Sequence, residues 1–281
     1  MRLSATVPGR TPREKVQAIR SLGMSATDIW FDPATSIAQA AEIQQTFAGA
    51  GVSLSQVSCY TNLECVPGAI RDRQMAHLRD VIAFAGRTGV RCVVSGCGHM
   101  NPDAPEEVFS AHPDNWTDAA MDRLVESCTE AAAWAAEAGT VFCAESWVLL
   151  TLDSPRKMRE QADRVNSPAF GLLFDPVNLM NLDVYFDNGR MIREAFDLLG
   201  DRIVAVHAKD TKLIDSAFTY HMSEAIPGDG TLDYETLLRC MDDLGDAETP
   251  LHIEHLPALD DVARARDYIR SVAERTGITL T

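Results

Sequence analysis

Eight short apolar runs rich in β-branched residues alternate with eight longer stretches of helical period, always in the order strand then helix. The chain has 281 residues and no Pro/Gly/Ser-rich stretch that would divide it. Together these features predict an α/β protein folded as a single (β/α)8 barrel of the TIM type over residues 1–281. A doubly wound sheet accounts for only six of the strands. Low-complexity segments are absent, and the repeat is one of structure without sequence identity.

The first strand is expected over Leu3 to Val7. Thr11 follows as an N-cap with Pro12 next, where a missing N–H removes nothing the helix needs, and the helix runs from Pro12 to Leu22 before Gly23 stops it. A second strand covers Ala26 to Phe31, a helix Ser36 to Ala48, and Gly51 leads into a third strand over Val52 to Tyr60. The next helix, Ala69 to Thr88, ends at Gly89 and delivers a fourth strand, Arg91 to Ser95, closing in SGCGHMNPD. A glycine-rich strand end reads as backbone approaching a ligand. The helix Asn115 to Ala138 carries AAAWAAEAG, whose alanines imply close packing, and Val141 to Trp147 is the fifth strand. Helix Ser154 to Val165, strand Gly171 to Phe174, helix Gly189 to Leu199, strand Ile203 to His207, helix Asp233 to Leu244, strand Leu251 to His255 and helix Leu259 to Glu274 complete the series. The longest interruption, Thr211 to Gly230, falls on the C-terminal face of the strands, where barrels of this type keep their sites.

Composition narrows the function. A 46% hydrophobic content fills a large core, while 41 acidic against 25 basic residues give a net charge of −16. That charge repels polyphosphate and argues against a nucleic-acid partner; otherwise an acidic surface chiefly serves solubility. Seven cysteines, an odd set without a CxxC pair, imply reduced thiols in the cytoplasm. The opening MRLSATVPGR lacks an apolar core, and no 18 apolar residues run together, so neither a signal peptide nor a membrane partner is expected.

Four strands end in potential metal ligands: Glu145 in VFCAES, Asp175 in GLLFDPVN, His207 in IVAVHAKD and Glu254 in LHIEHL. Alone, each such residue is most often a loop cap or half of a salt bridge. On strands five to eight of a barrel, which lie side by side, the four converge at one edge of the mouth. Three buried carboxylates repel one another unless a cation neutralises them. Oxygen-rich ligands with one imidazole suit one divalent ion, Mn²⁺ first and Mg²⁺ or Co²⁺ after it, better than Zn²⁺.

With these residues in view, the chain resembles the xylose-isomerase-like superfamily of sugar isomerases and epimerases, which includes ketose 3-epimerases and hydroxypyruvate isomerases. The resemblance extends over essentially the whole chain and includes HAKD (His207 to Asp210) and PGDGTLDY (Pro227 to Tyr234). It implies that Glu145, Asp175, His207 and Glu254 bind the metal. It further implies that Glu145 and Glu254 are the catalytic acid and base, one removing a proton and the other returning it through a metal-stabilised enediolate of a small carbohydrate substrate. Two departures stand out. Where the family often has a His three residues after the Asp, this chain has Asn178, which binds a hydroxyl but transfers no proton at neutral pH. Where the epimerases carry an Arg after the metal-binding His, this chain offers Lys209 and Lys212.

Other residues are candidates for substrate binding. His99 follows the glycine-rich end of strand four, with an exposed loop histidine as the plainer reading. Lys209, two residues past His207, points to the same side and is placed to hold an anion or developing oxyanion, unless it pairs with Asp210 or Glu254. Trp147 and Trp30 are positioned as apolar walls for a sugar's C–H face. Tyr220 and His221 are either caps of the pocket or ordinary loop residues. His252 and Cys143 read as interior filling, and His255, by strand alternation, points the opposite way.

The sequence thus supports an isomerase or epimerase first and, on the same barrel, a lyase or dehydratase acting on a keto-sugar, keto-inositol or 3-keto-glycoside. Apurinic-site endonucleases share the barrel but need a histidine-rich three-metal cluster, which Asn178 interrupts. A binding protein without turnover is the non-catalytic alternative. A homo-oligomer whose neighbouring subunit helps shape the pocket is compatible with all of these.

Overall fold

The computed structural model describes residues 1–214, 219–256 and 258–281. Its elements are β1 (Arg2–Ala5), α1 (Pro12–Ser21), β2 (Ala26–Thr27), α2 (Ile37–Gly49), β3 (Ser53–Leu54), β4 (Gln56–Ser58), α3 (Ala69–Thr88) and β5 (Cys92–Gly96). There follow α4 (Asp118–Ala138), β6 (Val141–Glu145), α5 (Pro155–Val165), β7 (Phe170–Phe174), α6 (Leu182–Tyr185), α7 (Asn188–Leu199), β8 (Ile203–Ala208), β9 (Asp210–Leu213) and β10 (Met222–Ala225). The described chain ends with α8 (Tyr234–Asp243), β11 (Pro250–Ile253) and α9 (Leu259–Thr276).

Nine parallel segments form one sheet in the order β3-β2-β1-β11-β8-β7-β6-β5-β4. The two ends of that order, β3 and β4, are halves of one strand interrupted at Ser55. Ser55 N–H donates to the Thr27 carbonyl at 2.8 Å, and Arg91 N–H donates to the Leu54 carbonyl at 3.0 Å, so bonding continues on both sides of the interruption. The ring is therefore eight strands, as the strand count predicts, and the fold is a TIM barrel.

The main core lies between strands and helices, because each helix buries one stripe. In α3 that stripe is Met75, Leu78, Val81, Ile82 and Ala85, at the three- and four-residue spacing of a helical face. Inside the ring, Cys92, Val94, Cys143, Leu173 and Ala205 form a second, smaller cluster. The rest of the interior includes polar groups: His252 Nδ1 lies 2.8 Å from Ser4 Oγ, and its Nε2 lies 3.0 Å from Thr6 Oγ1. The interior readings of Cys143 and His252 agree with this arrangement. All seven cysteines are free thiols, six of them buried.

Several boundaries differ from expectation. The second strand stops at Thr27 instead of Phe31, and the next residue, Asp28, pairs with the buried Lys15 ammonium, Nζ to Oδ1 2.8 Å. The helix expected from Asn115 starts at Asp118, where the Thr117 hydroxyl caps Ala120 N–H; a 3-10 turn, Pro113–Trp116, precedes it. The interruption Thr211 to Gly230 contains an antiparallel hairpin, β9 with β10, which no periodicity announced. Residues 215–218 of that stretch lie outside the described residues. Among the described residues, no helix is long and apolar enough to cross a membrane.

Candidate metal centre

Strand alternation builds the site. Glu145 is the last residue of β6, two beyond interior Cys143; Asp175 follows β7, two beyond interior Leu173; His207 lies in β8, two beyond interior Ala205. Register sets His252 opposite His207, and Glu254 is two past His252, just beyond β11. One ligand atom from each of Glu145, Asp175, His207 and Glu254 lies within 4.8 Å of the others, and this is the cluster of metal-binding type found among the described residues. All four are buried, Asp175 and His207 completely.

The donor atoms fit a cation. His207 Nδ1 lies 2.9 Å from Glu254 Oε1, 3.2 Å from Glu145 Oε1 and 3.4 Å from Asp175 Oδ2. Asp175 Oδ2, His207 Nδ1 and Glu254 Oε1 are buried without a hydrogen-bond partner, although they face one another. Buried polar atoms left in this way are rare and call for an occupant. Lys209 Nζ is 2.9 Å from Asp175 Oδ2 and 2.8 Å from Glu254 Oε1, as an ion pair outside hydrogen-bonding directions. Three carboxylates against one ammonium leave two negative charges, which a divalent cation balances.

The electrostatics agree. Burial opposes charge on His207, but Glu254 and Glu145 overcome it and push the imidazole pKa well above its ordinary value. Burial likewise opposes charge on Lys209, yet Asp175 and Glu254 raise its pKa. Burial pushes the Asp175 and Glu254 carboxyls up; Lys209 and His207 together outweigh it at Asp175, and His207 with Lys209 at Glu254, so both lie below the usual carboxylate range. A bound cation would take the place of the extra proton on His207, since ligation needs the free nitrogen.

Around this centre lies a cleft of about 220 Å³ lined by Tyr60, Phe109, Glu145, Trp147, Asn178, Lys209, Glu224 and His255. Asn178 Nδ2 donates to Glu145 Oε1 at 2.9 Å, and its Oδ1 accepts from Lys209 Nζ at 3.3 Å. Trp147 meets Phe109 edge to face at 5.1 Å between centroids, and Phe109 in turn meets Tyr60. The structure therefore brings Asn178, Lys209 and Trp147 to the four ligand-type residues.

It does not bring His99. That ring is buried, with Nε2 3.0 Å from the Glu107 carbonyl and Nδ1 accepting Asn101 N–H at 3.1 Å, so it fastens its own loop. The glycines of SGCGHMNPD serve packing: Gly98 holds φ at +89° and abuts Asn62, where a side chain would collide. Trp30 is exposed, stacks with Lys15, and lines a separate depression. Neither Tyr220 nor His221 lines the cleft. Lys209 does not pair with Asp210. That carboxylate instead accepts N–H bonds from Thr211, Gly228, Gly230 and Leu232, which joins HAKD to PGDGTLDY. Gly230 fits because a Cβ would strike the same carboxylate.

Five contributors were not legible as site residues, Phe109 of the cleft wall among them. Gln56 lies behind His207, its amide 3.2 and 3.3 Å from Nε2. Tyr60 donates its hydroxyl to Glu145 Oε2 at 2.7 Å; an aromatic at the end of the third strand was the only signal. Glu224 arrives on the hairpin. His255 was expected to point away, but its φ of +58° breaks the strand alternation and turns the ring into the cleft.

Residues 16–272 match the family described as the xylose isomerase-like TIM barrel, and the chain belongs to that family. A D-tagatose 3-epimerase-like protein of known structure superposes with a TM-score of 0.76 at 16% identity, covering 99% of this chain and 98% of its own. The D-psicose 3-epimerase of Clostridium cellulolyticum H10, solved with D-tagatose, gives 0.73 at 16%, covering 97% of this chain and 99% of its own. A xylose isomerase-like TIM barrel protein of Mycobacterium smegmatis, in complex with magnesium, gives 0.70 at 19%, covering 98% and 97%. At such identities the likeness is one of fold. A search among curated protein sequences finds no match.

Proposed function

We propose that this chain, as one barrel domain, is a divalent-metal-dependent isomerase or epimerase of a small ketose or keto-sugar. The observation that carries the reading is the meeting of Glu145, Asp175, His207 and Glu254 with three buried ligand atoms unpartnered at the floor of a cleft. Glu145, Asp175, His207 and Glu254 would hold the ion. When bound, it supplies the positive charge that offsets the negative charge developing on a substrate carbonyl oxygen. Oxygen-rich ligands favour Mn²⁺, with Mg²⁺ or Co²⁺ as substitutes.

Glu145 and Glu254 carry the proton transfers, one removing the proton from the hydroxyl-bearing carbon next to the carbonyl and the other returning it. Asn178 and Tyr60 hold the Glu145 carboxylate by its two oxygens, fixing the direction from which it meets substrate. Lys209, with His207, favours the ionised forms of Asp175 and Glu254. Trp147 and Phe109 offer an apolar wall to C–H groups. The cleft is smaller than the roughly 300–1,000 Å³ of drug-sized pockets, which suits a monosaccharide-sized molecule.

Metal content of the purified protein and exchange of carbon-bound hydrogen with D₂O, over a ketose panel with Mn²⁺, test the reading. Stoichiometric divalent metal and exchange on at least one ketose are expected. No exchange on any member would refute it, and a change of product mass would indicate elimination instead.

A further inference from the structure

One pair of side chains in the cleft has no part in the reaction just described. Glu224 lies on β10 and His255 just beyond β11, and the imidazole Nδ1 sits 3.1 and 3.0 Å from the two oxygens of the Glu224 carboxylate. Both are about half exposed, so they face the cleft instead of filling the core. The hairpin of β9 and β10 delivers Glu224, with Ser223 opposite Lys212 and Glu224 opposite Thr211.

The backbone of His255 points the same way. Among the described residues, two non-glycine residues have positive φ: Asn166, which caps the C-terminus of α5, and His255 at +58°. The first has an ordinary cause, since asparagine is a common left-handed helix cap. The second has none in local sequence, and a strained residue of this kind persists where its surroundings over-determine it, commonly at ligand sites. Its effect here is specific. An extended residue after Glu254 would point out of the barrel mouth, whereas the left-handed turn sets the ring against Glu224 and 3.7 Å from Glu254 Oε1.

Charge then limits what can enter. Among the described residues lining the cleft, the basic side chains are Lys209 and His255. Lys209 faces Asp175 and Glu254, with Glu224 at 3.6 Å, and His255 faces Glu224. At the Glu224 end of the cleft, away from the metal-ligand residues, a phosphate or carboxylate on the substrate would meet no basic side chain free of a carboxylate partner and would stand beside Glu224. A hydroxyl has the opposite character. It donates to the Glu224 carboxylate and exchanges a hydrogen bond with His255 Nε2, because Nδ1 is taken by Glu224.

We propose that Glu224 and His255 form a hydroxyl-recognition pair that admits an uncharged polyol end of the substrate and rejects a phosphorylated one. This rests on the assignment of a carbohydrate substrate made above and names its class: a free sugar. Glu224 and His255 are specificity residues, and their loss should move substrate binding more than turnover.

The test uses the whole 281-residue chain loaded with Mn²⁺. Calorimetric binding of D-glucitol and of D-glucitol 6-phosphate is compared in wild type, Glu224→Gln, Glu224→Arg and His255→Asn, the last because asparagine tolerates the same backbone. Wild type is expected to prefer the neutral polyol at least tenfold. Glu224→Gln and His255→Asn should each erode that ratio about tenfold, and Glu224→Arg should move it toward the ester. Equal or tighter binding of the ester by wild type, binding of neither compound, or ratios unchanged in all three variants would overturn the proposal. Hydrogen exchange on free ketoses by the same wild-type protein reads the reaction separately. Neutral preference without exchange would remove the isomerase assignment and leave the pair in place, whereas exchange confined to phosphorylated ketoses would do the reverse. For any ketose turned over, KM should rise in Glu224→Gln by more than kcat falls.

Discussion

His207 is held from behind by Gln56, whose amide lies 3.2 and 3.3 Å from Nε2 while Nδ1 faces three carboxylates. Donation from Nε2–H to the amide oxygen keeps the Nδ1 lone pair on the cluster side, the tautomer that ligation requires. A carboxylate offers lone pairs on both of its oxygens, but the imidazole contributes only in this form. Gln56→Leu should therefore weaken Mn²⁺ binding about 10–100-fold, the usual effect of losing such a supporting partner. Calorimetric titration of the metal-free protein measures it; unaltered affinity would show that the ring needs no support.

The two glutamates are expected to divide their work by face. Glu145→Gln and Glu254→Gln should each lower epimerisation by about 10²–10⁴-fold, the range for a lost acid or base. Each variant should retain deuterium exchange on one epimer and lose it on the other, because the remaining carboxylate still serves its own side. Saturating Mn²⁺ separates this from weaker ligation. Loss of exchange on both epimers in both variants would argue against two opposed bases.

Lys209 and a metal ion neutralise the same carboxylates, so their contributions should trade. Lys209→Met leaves the buried Asp175 and Glu254 without the ammonium that pairs with them. Breaking a buried pair in this way typically costs about 3–5 kcal/mol. Urea unfolding should show that loss in EDTA and a much smaller one in Mn²⁺. An equal loss in both conditions would mean that the ion does not bind at these carboxylates.

A separate pH effect is expected from Glu64, far from this chemistry. Its two carboxyl oxygens are buried without partners, and burial raises its pKa from 4.5 to about 8, against smaller opposing effects of Thr151 and Arg123. The folded state thus holds a proton that the unfolded chain releases, so stability should fall as pH rises between about 4.5 and about 8. Glu64→Gln should remove this component and gain a few kcal/mol at pH 8 relative to pH 5. Parallel urea midpoints for the two proteins across that range would contradict it.

The barrel and the ligand-type residues were legible because both depend on short-range pattern. Strand and helix periods identified eight βα units, and a polar residue two past an apolar interior position marked Glu145 and Asp175. Pairing of Lys209 with Glu254 is one of the alternatives its place two residues past His207 allows, whereas its pairing with Asp175, on the neighbouring strand, is announced by no spacing. His99 was misplaced because a glycine-rich strand end says that backbone passes close to something, without saying whether that is a ligand or Asn62.

What the sequence determined by itself is therefore what alternation within one strand and the order of strands around a ring require: a barrel with Glu145, Asp175, His207 and Glu254 at one edge of its mouth. Only the tertiary structure decided which loops close over that mouth. Gln56 reaches His207 across 151 positions of chain, Tyr60 reaches Glu145 across 85, and Glu224 reaches His255 across 31. Such pairings are settled by packing across the barrel interior and around its mouth and, at His255, by a backbone turn that reverses a side chain's direction. Neither leaves a period in the sequence, since the physical cause lies in neighbours distant along the chain.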